Sequence, residues 1–104
     1  MQTEMFRAEI IANQSVQEEL AEAIEGTESM FYTYIPAVQG KGRQQKRFGD
    51  ETWPELNCLY VLYVDTAGLD VLRSITTSLK QRFPREGIKL FAVPAICQGH
   101  SEES

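Results

Sequence analysis

Histidine occurs once in these 104 residues, tryptophan once and cysteine twice. No apolar run approaches the roughly 18 residues that span a bilayer, so a transmembrane helix is excluded. Two cysteines, Cys58 and Cys97, are too few for a disulfide framework, and a chain of this length buries enough core without staples. A single histidine, His100 in a polar tail, leaves no pattern for a serine or cysteine nucleophile with its base. Cys97 and His100 form a Cys-x-x-His pair, half of a zinc site with two ligands wanting, so no metal site is assigned. The opening MQTEMFRAEI carries acids and lacks a basic start followed by an apolar stretch. No secretory leader is expected there, and the expected location is cytoplasmic.

What is present is an ordinary globular composition, 42% hydrophobic and 24% charged, with a net charge of −5. That sum disfavours nucleic acid and anionic membranes as partners. The distribution is more telling. Lys41, Arg43, Lys46 and Arg47 put four of the ten basic residues into Gln39 to Arg47, while acids crowd Glu18, Glu19, Glu22 and Glu25. One basic, glycine-punctuated stretch on an acidic body points to a local anion site.

Met5 to Ala12 alternates, with Phe6, Ala8 and Ile10 on one side and Arg7, Glu9 and Ile11 on the other, and reads as a strand. Ser15 with Glu18 has the form of a capping box, and Val16, Leu20, Ala23 and Ile24 recur at helical spacing up to Gly26. A first helix is expected from about 15 to 26. Met30 to Val38, rich in aromatic and β-branched residues, reads as a second strand, placed at a sheet edge by Pro36. Residues 39–56 hold Gly40, Gly42, Gly49 and Pro54 without an apolar period and read as a long loop. Asn57 to Asp65 is apolar on both faces, as in a central strand. Asp65 or Thr66 then caps a second helix with a stripe of Leu69, Leu72, Ile75, Leu79 and Phe83, ended by Pro84. Ile88 to Ala95 is the last strand, and Pro94 makes it an edge too.

The order β-α-β, β-α-β without a linker predicts one domain over residues 1–104 of the α+β class. The arrangement is ferredoxin-like: a four-stranded antiparallel sheet with both helices on one face. In the spatial order 4-1-3-2 the edges are strands two and four, the two that contain proline. The tail 97–104 is polar.

Fold alone does not assign function. Val38-Gln39-Gly40 is similar to the phosphate loop of acylphosphatases, but there the loop follows the first strand, and here it follows the second. Phe31, Tyr32, Tyr34, Tyr60 and Tyr63 have the rings to stack RNA bases, yet they split between both sheet faces, which favours core and interface roles. The stretch Val38-Gln39-Gly40-Lys41-Gly42-Arg43-Gln44 is the most informative. It resembles the VxGxGRQ segment that leaves the second strand and opens the T-loop of PII signal-transduction proteins. Glycines allow a backbone to approach an anion, and amides with a guanidinium hold phosphate oxygens. Gly87-Ile88-Lys89-Leu90-Phe91 looks like the GDGKIF segment of the PII B-loop, with Ile88 in place of the second glycine.

The segment 39–56 is shorter than a nitrogen-regulatory T-loop and holds no tyrosine, and the C-terminal Arg-x-Arg is missing. Its ending, Trp53-Pro54-Glu55-Leu56-Asn57, is similar to the Trp-Pro-x-x-Asn of short-loop PII-like proteins. The resemblance implies a non-enzymatic homotrimer that binds an anionic effector such as ATP, ADP or AMP in clefts between subunits. Gly40, Lys41, Gly42, Arg43, Gln44, Gly87 and Lys89 would contact the ligand, with Trp53 and Asn57 at the loop and interface. A target protein would read the loop. A trimeric metal-responsive protein of the copper-tolerance type, or a ligand-blind adaptor, would share the same fold.

Overall fold

The computed structural model describes residues 4–27, 30–40 and 55–97. Strand β1 (Met5–Asn13) leads through a 3-10 turn (Gln14–Val16) into helix α1 (Gln17–Glu25). Strands β2 (Tyr32–Gly40) and β3 (Glu55–Val64) follow, then helix α2 (Thr66–Arg82) and strand β4 (Ile88–Ala95). The sheet is antiparallel in the order β2-β3-β1-β4, the expected 4-1-3-2 read from its other side. Both proline-bearing strands are edges. No helix among the described residues is long and apolar enough to cross a membrane.

The alternation of β1 decides the layering. Ala8, Ile10 and Ala12 are fully buried, as are Cys58 and Leu62 on β3, while Arg7, Glu9 and Ile11 lie on the opposite face. The buried set packs against Val16, Leu20 and Ile24 of the first helical segment and Leu69, Leu72 and Leu79 of α2. Each such aliphatic side chain contributes about 1.5–3 kcal/mol when removed from water. Small residues at 8 and 12 let the helices sit close to the sheet while the larger Ile10 fills the space between them.

Local signals fix the ends. The Asp65 side chain accepts the Gly68 backbone N–H at 2.8 Å, so Asp65 is the cap of α2. Lys80 and Arg82 occupy its last turn, where cations favour the carbonyl end of a helix. The capping box at Ser15 and Glu18 is not the one formed. The Asn13 side chain accepts the Ser15 N–H at 2.9 Å, and an intervening 3-10 turn delays α1 to Gln17, whose Val16 cap lends no side chain. Asparagine is the better cap here because it stands at the strand end with extended backbone.

One further expectation is corrected. The loop 39–56 is trimmed at both ends, because Gln39 pairs with Leu56 and Gly40 with Glu55. Strand pairing, once in register, carries through residues of low strand propensity. The third strand is an inner strand and apolar on both faces, as expected: Cys58, Tyr60, Leu62 and Val64 face the helices, while Leu59, Val61 and Tyr63 lie on the other face, Tyr63 about half exposed.

Pro36 lies in a β-bulge. Ile35 pairs with Leu59 but Val38 with Asn57, so β2 carries one extra residue and its end switches face. The freed Pro36 carbonyl accepts the Gln14 side-chain amide at 2.6 Å.

Gly68 is held by crowding: an added Cβ would stand 2.8 Å from Val64 Cβ. Gly68→Ala is expected to cost about 1–3 kcal/mol from overpacking, and Asp65→Ala about 0.5–2 kcal/mol from the lost cap. Urea unfolding of the two variants measures both.

Candidate functional site

Of the residues singled out, the described ones, Gly40, Asn57, Gly87 and Lys89, lie toward one end of the sheet, where β1 and β2 leave and β3 and β4 enter. Asn57 pairs with Asn13 on one side and Val38 on the other. Gly87 precedes β4, and its carbonyl accepts the Asn13 N–H at 2.9 Å, tying the exit of β1 to the entry of β4. Lys80 closes the same turn by donating its ammonium to the Glu86 carbonyl at 2.6 Å. Lys89 is exposed and pairs with Ile11 of β1, which puts it on the face away from the helices. Gly40 is the last residue of β2. Lys41, Gly42, Arg43, Gln44 and Trp53 lie outside the described residues.

The strand order separates these groups. Gly40 is on one edge strand and Gly87 and Lys89 on the other, three strand spacings apart. At about 4.8 Å per step that is roughly 14 Å across a single sheet. Within one sheet Gly40 and Gly87 therefore stand apart, with β3 and β1 between their strands.

Ile88, at the place of the second glycine of the B-loop pattern, is a core residue facing α2. Its side chain closes the gap between α2 and β4. A Cβ on Gly87 would meet nothing within 4 Å, so the chain's own packing does not require glycine there.

The shallow depressions on α2, of about 350 and 340 Å³, are lined by residues such as Arg73, Thr77, Lys80 and Gln81 and involve neither Gly40 nor Lys89. Among the described residues no three His, Cys, Asp or Glu side chains stand close enough to hold a metal ion. Cys97 is exposed, and His100 lies outside the described residues.

Polar contacts that the sequence did not single out lie on both faces. On the helix side, Tyr60 is buried, receives a hydrogen bond from the Gln17 amide at 3.2 Å and stacks with Tyr34, centroid to centroid, at 4.7 Å. Tyr32 donates its hydroxyl to Glu25. That carboxylate pushes the Tyr32 phenol above its ordinary value, while burial does the same to Tyr34 and Tyr60. Burial likewise raises the Cys58 thiol, which makes it a core residue and a poor nucleophile. On the open side, Arg7 Nε donates to Glu9 at 2.9 Å and Arg7 Nη1 to the Tyr63 hydroxyl at 3.0 Å. The carboxylate first, and then the phenol, hold the Arg7 guanidinium above its usual value. The placing of Arg7 and Glu9 together on one side of β1 was the available signal for this group.

No protein-family model matches the sequence, and no curated protein matches it either. Solved structures do match. CPII, a nitrogen regulatory PII-like protein from Thiomonas intermedia K12 bound to ADP, AMP and bicarbonate, superposes with a TM-score of 0.63 at 12% identity. The match covers 93% of this chain and 97% of that one. A DUF3240 family protein from Shewanella baltica OS155 gives a TM-score of 0.64 at 14% identity, covering 98% and 100%. CutA1 from Oryza sativa gives 0.59 at 11% identity, covering 93% and 84%. The chain has the ferredoxin-like fold of PII-like proteins, the fold that its element order led one to expect.

Tyr32, Tyr34 and Tyr60 are expected to ionise above about 10 in the folded protein. Raised phenol values mean that stability is fully present below the unfolded value and falls as pH climbs past about 10. Absorbance titration near the phenolate band, with and without urea, checks the order. Glu25→Gln should return Tyr32 toward its ordinary value.

Proposed function

We propose that this chain is a non-enzymatic, PII-like regulatory protein of the cytoplasm. It assembles as a homotrimer, binds an anionic effector between subunits, and signals to a target protein through the segment after β2. The observation that carries the reading is the separation of the two glycine segments. Gly40 and Lys89 lie on opposite edge strands of one sheet, with Gly87 at the entry to the second of them. A cleft between copies would join the β2 edge of one to the β4 edge of the next, which is how residues roughly 14 Å apart in one chain come to share a ligand.

In that cleft the amides about Gly40 and Gly42 face phosphate oxygens, Arg43 and Lys89 counter their charge, and Gln44 orders the start of the loop by hydrogen bonding. Lys41 adds positive potential, and the absent side chain at Gly87 leaves room for the ligand. Trp53 seats the returning end of the loop against a neighbouring subunit near Asn57. An adenine nucleotide is the preferred effector, supported by the loop motif and by the ADP and AMP held by CPII. Binding acts by favouring one loop conformation over others, which the partner reads. The likeness to CutA1 keeps a metal-responsive role as the second reading, with Cys97 and His100 its ligands.

A thermal-shift panel of ATP, ADP, AMP, bicarbonate and divalent copper separates these readings. A nucleotide at 100 times its dissociation constant should add about 2.7 kcal/mol to stability. Arg43→Ala should weaken that binding by about 1.5–3 kcal/mol, roughly 10- to 150-fold by calorimetry. Unchanged affinity in this variant would remove Arg43 from the site. A response to copper alone, lost on removing the tail, would move the protein to the second reading, and silence toward every ligand would leave an adaptor.

A further inference from the structure

Strand β2 changes register between Ile35 and Val38, just short of its last residue, Gly40. Pro36 and Ala37 stand there against the single Cys58 of β3. Without the extra residue the ladder would run on with Ala37 opposite Asn57 and Gln39 opposite Glu55. Residues beyond the break would then change face, and Gly40 would exchange a ladder position whose N–H meets β3 for one whose N–H points away, or the reverse. The pairing before the break does not choose between the two, since Tyr32 to Ile35 sit opposite Leu62 to Leu59 in both.

The choice is made from outside the ladder. The Gln14 side-chain amide donates to the Pro36 carbonyl at 2.6 Å. Gln14 is itself held on both sides. Asn13 donates its N–H to the Gly87 carbonyl and accepts the Ser15 N–H on its side chain, each at 2.9 Å. The Gln14 carbonyl accepts the Gln17 N–H. Gln17 in turn donates to the Tyr60 hydroxyl at 3.2 Å, and Tyr60 stacks on its cross-strand partner Tyr34, on the near side of the bulge. One tight turn thus grips β2 before its break through Gln17 and within it through Gln14.

We propose that Gln14 is a positioning residue, whose hydrogen bond holds β2 in the bulged register and so sets how the strand delivers Gly40 to the effector cleft. This rests on the PII-like reading given above. Gln14 acts through Pro36 and not on the ligand. A carbonyl accepts only from a donor, so an amide or an ammonium at position 14 keeps the register. A carboxylate, an acceptor alone at neutral pH, releases it.

The test compares the parent chain with Gln14→Glu and Gln14→Lys, reading cross-strand proton contacts by NMR and ADP binding by calorimetry. In the parent and in Gln14→Lys, Val38 is expected opposite Asn57. In Gln14→Glu, Ala37 is expected to take that place in a measurable share of molecules, with ADP bound about tenfold more weakly. If Gln14→Glu keeps Val38 opposite Asn57 throughout, the register role is wrong, whatever happens to ADP. If the register changes and ADP affinity does not, Gln14 shapes the strand without positioning the site, and the proposal is overturned. If the parent binds no ADP, the effector reading falls, and the register role stands or falls on the proton contacts alone. Should Gln14→Glu not fold, Gln14→Ala, which removes the donor without adding a charge, is read in the same way.

Discussion

Two helices cover one face of a four-stranded sheet, and the sheet has two faces. Most of what distinguishes this molecule follows from that imbalance. Strand β1 resolves it by alternation, sending Ala8, Ile10 and Ala12 to the helices and Arg7, Glu9 and Ile11 outward. Strand β3 resolves it differently, with apolar side chains on both sides, so that Cys58, Tyr60 and Leu62 enter the core while Val61 and Tyr63 face outward. The core closes within one chain. The other face does not.

The same geometry bears on where a ligand would sit. An antiparallel sheet sends alternate strand ends to one rim, so Gly40, Asn57, Gly87 and Asn13 share an end although they are far apart in sequence. Sharing a rim is not sharing a pocket, because the intervening strands β3 and β1 stand between Gly40 and Gly87. The proposed cleft therefore depends on contact between chains. Binding and assembly become one problem in this reading.

Much of the fold was legible because its signals are local. The β4 bounds, the Asp65 cap and the two edge strands could each be read from a few neighbouring residues. The misreadings came where a choice is settled by remote partners. Asn13 and Ser15 are both good caps, and only the exit of β1 beside Gly87 decides between them. Gln39, Gly40 and Glu55 look like loop until β2 and β3 are laid side by side. The candidate site was legible as a motif but not as a place, since its basic run lies outside the described residues. Ile88 shows how a family position can be taken over by packing, since here that position fills the core under α2. The Arg7–Glu9 pair was visible as two residues on one side of a strand, but Tyr63, 56 positions away, was needed to make it a group.

The prolines carry a last consequence. Pro36 within its bulge and Pro94 on β4 each remove a backbone donor from one of the two strands that border the sheet. Sideways growth, in which one sheet is continued by another into a ribbon, is obstructed at both borders.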